Sequence, residues 1–77
     1  MNPKELNEII ENIRKRVNRY LKRHGISVKK LASDCELSPQ LINQLINGEK
    51  NSCNVSSLIK LAHGMKTEPY KLLVPMK

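Results

Sequence analysis

Four neutral amides, Gln40, Asn43, Gln44 and Asn47, stand in the stretch Ser38-Pro-Gln-Leu-Ile-Asn-Gln-Leu-Ile-Asn-Gly48 with no charge among them. Solubility alone does not account for the choice. An exposed helix is ordinarily dressed with Glu and Lys, whereas Asn is a mediocre helix former because its side chain competes for backbone hydrogen bonds. What an amide offers is a donor and an acceptor side by side. It can therefore bond both N7 and N6 of adenine, which neither a carboxylate nor an ammonium can do.

Other chemistries find little support. Cys35 and Cys53 form no Cys-x-x-Cys pair, and His24 and His63 do not sit at metal-ligand spacings from them, so no metal site is expected and both thiols read as free. Neither histidine neighbours a candidate nucleophile, no phosphate-cradling glycine motif occurs, and a small helical domain offers little cavity. We expect no enzyme, no cofactor and no small-molecule ligand. Tyr20 and Tyr70 are the only aromatic residues, too few for the stacking platforms of single-strand binders.

The amides depend on the elements around them. Leu6, Ile9, Ile10, Ile13, Val17, Tyr20 and Leu21 step by three and four along one face of a long first helix. Asn2 is its expected N-cap with Pro3 behind it, and Gly25 its left-handed stop after His24. Its acids come early and its bases, Arg14, Lys15, Arg16, Arg19, Lys22 and Arg23, come late, which reads chiefly as a solvated face matched to the helix dipole. Ser27 caps a short helix from Val28 to about Cys35, with Val28, Leu31, Ala32 and Cys35 inward. After Glu36 and Leu37, Ser38 caps the next helix with Pro39 in its first turn, and Gly48 ends it.

A polar loop leads to Asn54, the expected cap of a fourth helix with Val55, Leu58, Ile59, Leu61, Ala62 and Met65 on its apolar side. Thr67 is the expected cap of a fifth, containing Tyr70, Leu72 and Leu73 and stopping before Pro75. No segment alternates as a half-buried strand would.

In the third helix, about 100° per residue puts Ile42, Leu45 and Ile46 on one side, Leu41 at the flank and the four amides opposite. One face is for the core and one for presentation. A helix so anchored and preceded by a short helix across a tight turn has the geometry of a helix-turn-helix, whose second helix enters the major groove of DNA. Charge agrees: 14 Lys and Arg against 7 Asp and Glu give net +7 and a pI near 9.7, which favours a polyanionic partner. No run approaches a membrane span of about 20 apolar residues. The N-terminus has no signal-peptide pattern, so a cytoplasmic location and no membrane partner are expected.

Residues 17 to 73 resemble the phage repressor/Cro-type helix-turn-helix family. The resemblance is carried by Gly25-Ile-Ser-Val-Lys-Lys-Leu-Ala32, Leu37 to Gly48, Ser57-Leu-Ile-Lys-Leu-Ala62 and Leu72-Leu73. It implies an all-α, compact five-helix lambda-repressor-like domain over residues 1–77, with the helix-turn-helix at about 27–47. It implies a homodimer that binds double-stranded DNA at a palindromic operator. Gln40 and Gln44 fall where the family reads bases, with Pro39 and Asn43 beside them. Ser38 and Asn47 fall where it contacts the DNA backbone, and Lys50 follows. Ser27, by its cap position, joins them as a phosphate contact.

Three departures stand out. Val28 occupies the place of a common phosphate-contacting Gln, so that anchor is either absent or moved to Lys29 or Lys30. Leu21 and Ile46 replace a buried Arg–Glu pair, an exchange that packed apolar groups tolerate well. Residues 1 to about 12 extend the first helix, and Leu6, Ile9 and Ile10 need cover either from helix five and the tail Val74-Pro75-Met76 or from a second subunit, with intramolecular packing slightly favoured. The expectation is a sequence-specific repressor. The main rival is a protein-interaction module, such as an antitoxin or adaptor, that keeps the fold; RNA is the weaker alternative because its deep, narrow major groove excludes a helix.

Overall fold

The computed structural model describes residues 3–49 and 54–73, the Pro3 side chain excepted. The Asn2 cap, Lys50, Cys53 and the tail Val74-Pro75-Met76 lie outside the described residues. Four α-helices follow in order: α1 Pro3–His24, α2 Val28–Cys35, α3 Pro39–Ile46 and α4 Val55–Gly64, before a 3₁₀ helix at Pro69–Leu73. None is long and apolar enough to cross a membrane.

The expected side chains begin the short helices. Ser27 Oγ accepts from the Lys30 N–H at 3.1 Å, Ser38 Oγ from the Leu41 N–H at 3.2 Å, and Asn54 Oδ1 from the Ser57 N–H at 2.7 Å. Each satisfies one of the N–H groups that a first helical turn leaves without a partner.

All four α-helices end on a left-handed residue, in two cases a glycine. Gly25 (φ 61°) follows α1 and Gly48 (φ 74°) follows α3, whereas Glu36 (φ 57°) follows α2 and Lys66 (φ 56°) follows α4. The next N–H then reaches back to a carbonyl near the helix end: Ile26 to Leu21, Leu37 to Ala32, Glu49 to Gln44 and Thr67 to Ala62. This is the Schellman closure. Ile26 and Leu37, one residue past the reversal, also pack against the core.

The fifth element corrects an expectation. Thr67 does not cap a helix; its N–H closes α4 at 2.9 Å from the Ala62 carbonyl, and only a five-residue 3₁₀ helix follows. So short a segment is of the length at which 3₁₀ geometry occurs.

One core unites these elements. Ile10, Ile13 and Val17 of α1, Leu31, Ala32 and Cys35 of α2, Ile42 and Leu45 of α3, Leu61 and Ala62 of α4, and Leu72 of the 3₁₀ helix are buried together. Leu6 and Ile9 pack half-buried against them, as do Leu21 and Ile46. Asn12 is buried too, and its Nδ2 donates to the Leu72 carbonyl at 3.5 Å. Two residues expected on the apolar side of α4 are instead exposed: Val55 at 70% and Ile59 at 40%. The helix period places them about 100° and about 140° from the middle of an arc centred on Leu61 and Met65, beyond the core face.

Candidate nucleic-acid interface

The chain from Ser27 to Glu49 forms two short helices joined at a sharp corner. Glu36 makes that corner in the left-handed conformation, Leu37 turns inward, and Ser38 starts α3 with Pro39 as its first residue. Proline here has no N–H to lose, and its fixed φ suits a first turn. Burial of Ile42 and Leu45 then fixes the roll of α3.

That roll leaves Pro39, Gln40, Asn43 and Asn47 exposed and Gln44 half-buried. The amides occupy one side of the helix at successive turns, with Gln44 nearest the flank of Leu41. Three of them, Gln40, Asn43 and Asn47, are exposed, with their amide groups available to a ligand. The backbone of Gln44 is engaged as well, since its carbonyl accepts the Glu49 N–H at 2.9 Å.

The expected phosphate-holding residues divide. Ser27 and Ser38 are both exposed at helix starts, and each hydroxyl already accepts a backbone N–H while keeping its own proton to donate. Lys29 is exposed. Lys30 is exposed too, but its Nζ lies 2.9 Å from Asp34 Oδ1 on the next turn of α2. Such an exposed pair is worth a few tenths of a kcal/mol, so an external anion can compete for the ammonium.

Behind the interface, α2 meets α4 at close range. A Cβ on Gly64 would stand 2.1 Å from Cys35 Sγ and 2.8 Å from Cys35 Cα, distances at which only glycine fits. Cys35 is 2% exposed, and its Sγ donates to the Leu61 carbonyl at 3.6 Å. Burial first, and the neighbouring Asp34 charge second, push its thiol up to about 11. It is a packed, protonated thiol rather than a nucleophile. The Tyr20 hydroxyl of α1 reaches the Gly64 carbonyl at 3.5 Å, tying a third helix to this point.

Sequence reasoning did not single out Glu36 or Gly64. Glu36 carried no signal, because its role is conformational and its type is not the usual one. Gly64, at the end of an apolar helix close to a predicted inward cysteine, gave a faint one. Among the described residues no group of His, Cys, Asp and Glu is arranged to hold a metal.

The Cro/C1-type HTH DNA-binding domain family matches the chain over residues 16–75, which include the corner, the amide helix and the α2–α4 contact. No curated protein and no solved structure matches it.

Proposed function

Because the chain belongs to the Cro/C1-type HTH DNA-binding family, we propose that it is a sequence-specific regulator of transcription, acting in the cytoplasm as a repressor that occupies a palindromic operator as a homodimer. The observation that carries the reading is the outward amide row of α3, mounted on a helix whose other side is locked in the core. In this reading α3 lies in the major groove, and Gln40 and Gln44 read base edges, with Pro39 and Asn43 beside them. Ser27, Lys29, Lys30, Ser38, Asn47 and Lys50 hold phosphates on either side. Exposed Val55, Ile59, Tyr70 and Leu73 provide apolar surface that a second subunit would cover.

Selection from a pool of random duplexes with the purified protein tests the reading. The expected result is an enriched, two-fold symmetric sequence with half-sites about one helical turn apart. Gln40→Ala or Gln44→Ala should then weaken binding to the enriched sequence by about 1–3 kcal/mol per lost bidentate contact while barely changing binding to random DNA. Equal loss on both would reduce these residues to positioning roles. No enrichment, together with stable salt-insensitive co-purification of one protein, would instead favour a protein-interaction module.

A further inference from the structure

The positive charge of this protein is not where the amides are. Residues 27–49 hold Lys29 and Lys30 against Asp34, Glu36 and Glu49, so the helix-turn-helix segment brings no net positive charge of its own. Residues 14–23 of α1 hold Arg14, Lys15, Arg16, Arg19, Lys22 and Arg23 with no carboxylate among them. Most of the net +7 of the chain is concentrated in these ten residues.

Part of that cluster forms a built surface. Lys15, Asn18, Arg19, Lys22 and Arg23 line one shallow depression along α1, and the four cations are exposed. Arg14 pairs with Glu11 and Lys30 with Asp34, and of the four only Lys15, one turn on from Glu11, feels that carboxylate's charge as well. The helix dipole explains only the final turn, where Lys22 and Arg23 stand, because its influence fades within one turn. Lys15 and Arg19 lie further back. Like charges three and four positions apart repel one another on a helix, so a face serving solubility alone would interleave carboxylates. The spacing, one or two cations per turn along about two turns, suits a linear polyanion rather than a single small anion.

The position matters as much as the charge. The side of α1 opposite this ridge carries Ile13 and Val17 into the core, and α3, which meets α1, sends Ile42 and Leu45 into the same core from its own inner side. The amide row and the cationic ridge are therefore carried on different helices, each on the side turned away from the core that the two helices share.

We infer that the α1 ridge of Lys15, Arg19, Lys22 and Arg23 is a second, sequence-independent phosphate-binding surface, which holds a separate DNA duplex while α3 engages the first. The inference rests on the DNA-binding reading above for the identity of its polyanion. Phosphate neutralisation needs no base reading, so the ridge binds any sequence and releases it as salt rises.

The test compares two variants of the whole chain: Arg19→Gln/Lys22→Gln/Arg23→Gln, and Gln40→Ala/Gln44→Ala. A mixed-sequence duplex is fixed to beads, protein is added, and a second, fluorescent mixed-sequence duplex is offered at two salt concentrations. Wild-type protein should retain the fluorescent duplex at low salt. The triple variant, with an unchanged circular dichroism spectrum, should lose at least tenfold of that retention. Its slope of log affinity against log salt should be shallower by about 2.7, the value for three lost phosphate contacts, and its preferred sequence in duplex selection should be unchanged. The double variant should show the reverse: retention kept, preference lost. Retention that survives in the triple variant overturns the inference, because bridging then runs through two α3 faces of a protein dimer. A slope unchanged by the triple substitution overturns it as well. If selection enriches no sequence but the triple variant still loses retention, the regulatory reading fails and the ridge stands.

Discussion

Helix α2 is joined to α3 by a corner and to α4 by a near-collision. At the corner every constraint is local: Glu36 reverses the backbone, Leu37 anchors it, and Ser38 and Pro39 start the next helix within a few residues. At the other joint, Cys35 and Gly64 come from distant parts of the chain and touch because one of them has no side chain. A corner held by local preferences tolerates small conformational changes at modest cost. A contact that leaves no room for a Cβ does not.

Filling that contact is the most damaging change we expect. Gly64→Ala forces a methyl into space taken by Cys35 Sγ and its backbone, and α2 must shift away from α4. Overpacking of this kind costs about 3 kcal/mol or more where backbone rather than a flexible side chain has to yield. A urea titration should show a large drop in midpoint, and the α2–α3 pair should lose its fixed orientation with it. A midpoint within the error of wild type would mean that the two helices separate without penalty.

The same joint should be sensitive to alkali. Below about pH 9 the Cys35 thiol is protonated in both folded and unfolded chains and has no effect on their balance. Between about 9 and 11 the unfolded chain ionises first, because burial holds the folded thiol at about 11, and unfolding is favoured. The loss should reach about 2 kcal/mol by pH 10.5, from roughly 1.4 kcal/mol per pH unit. Stability measured at pH 7.5 and 10.5 should therefore fall further in wild type than in Cys35→Ala, with lysine deprotonation common to both. Parallel falls would mean that the thiol meets water in the folded protein.

The corner should give the smallest effect, and in the opposite direction. Glu36→Gly removes the steric cost of a side chain at φ 57° while adding freedom to the unfolded chain, for a net gain of about 0.5–1 kcal/mol. Glu36→Val should instead lose stability, since a branched side chain is least tolerated there. Both shifts are readable as changes in thermal midpoint. If glycine destabilised the protein, some contact of the Glu36 side chain would outweigh its backbone strain.

The same contrast explains what the sequence disclosed. Ser27, Ser38 and Asn54 were legible as caps, and Gly25 and Gly48 as left-handed stops, because each acts within a few residues of itself. Glu36 and Lys66 do the same work as those glycines, but nothing in their side chains announces it. Thr67 misled for a related reason: a residue two past a helix end and a residue just before a helix start look alike in sequence, and here the backward bond won. Val55 and Ile59 were assigned to the core by counting apolar residues rather than by locating the centre of their arc. The outward stance of Gln40 and Asn43 followed from periodicity alone. The half-burial of Gln44 and the pairing of Lys30 with Asp34 depended on neighbours that only the folded chain supplies.

The hydrogen bond from Asn12 to the Leu72 carbonyl spans 60 positions, and around it α1 meets the 3₁₀ helix. It also sets a schedule for synthesis. The ribosome makes α1 before the residues that cover its inner side near Asn12, which follow by 60 positions. Over that interval the nascent chain carries an amphipathic helix whose natural cover does not yet exist, and native packing of that helix must wait until Leu72 has been made.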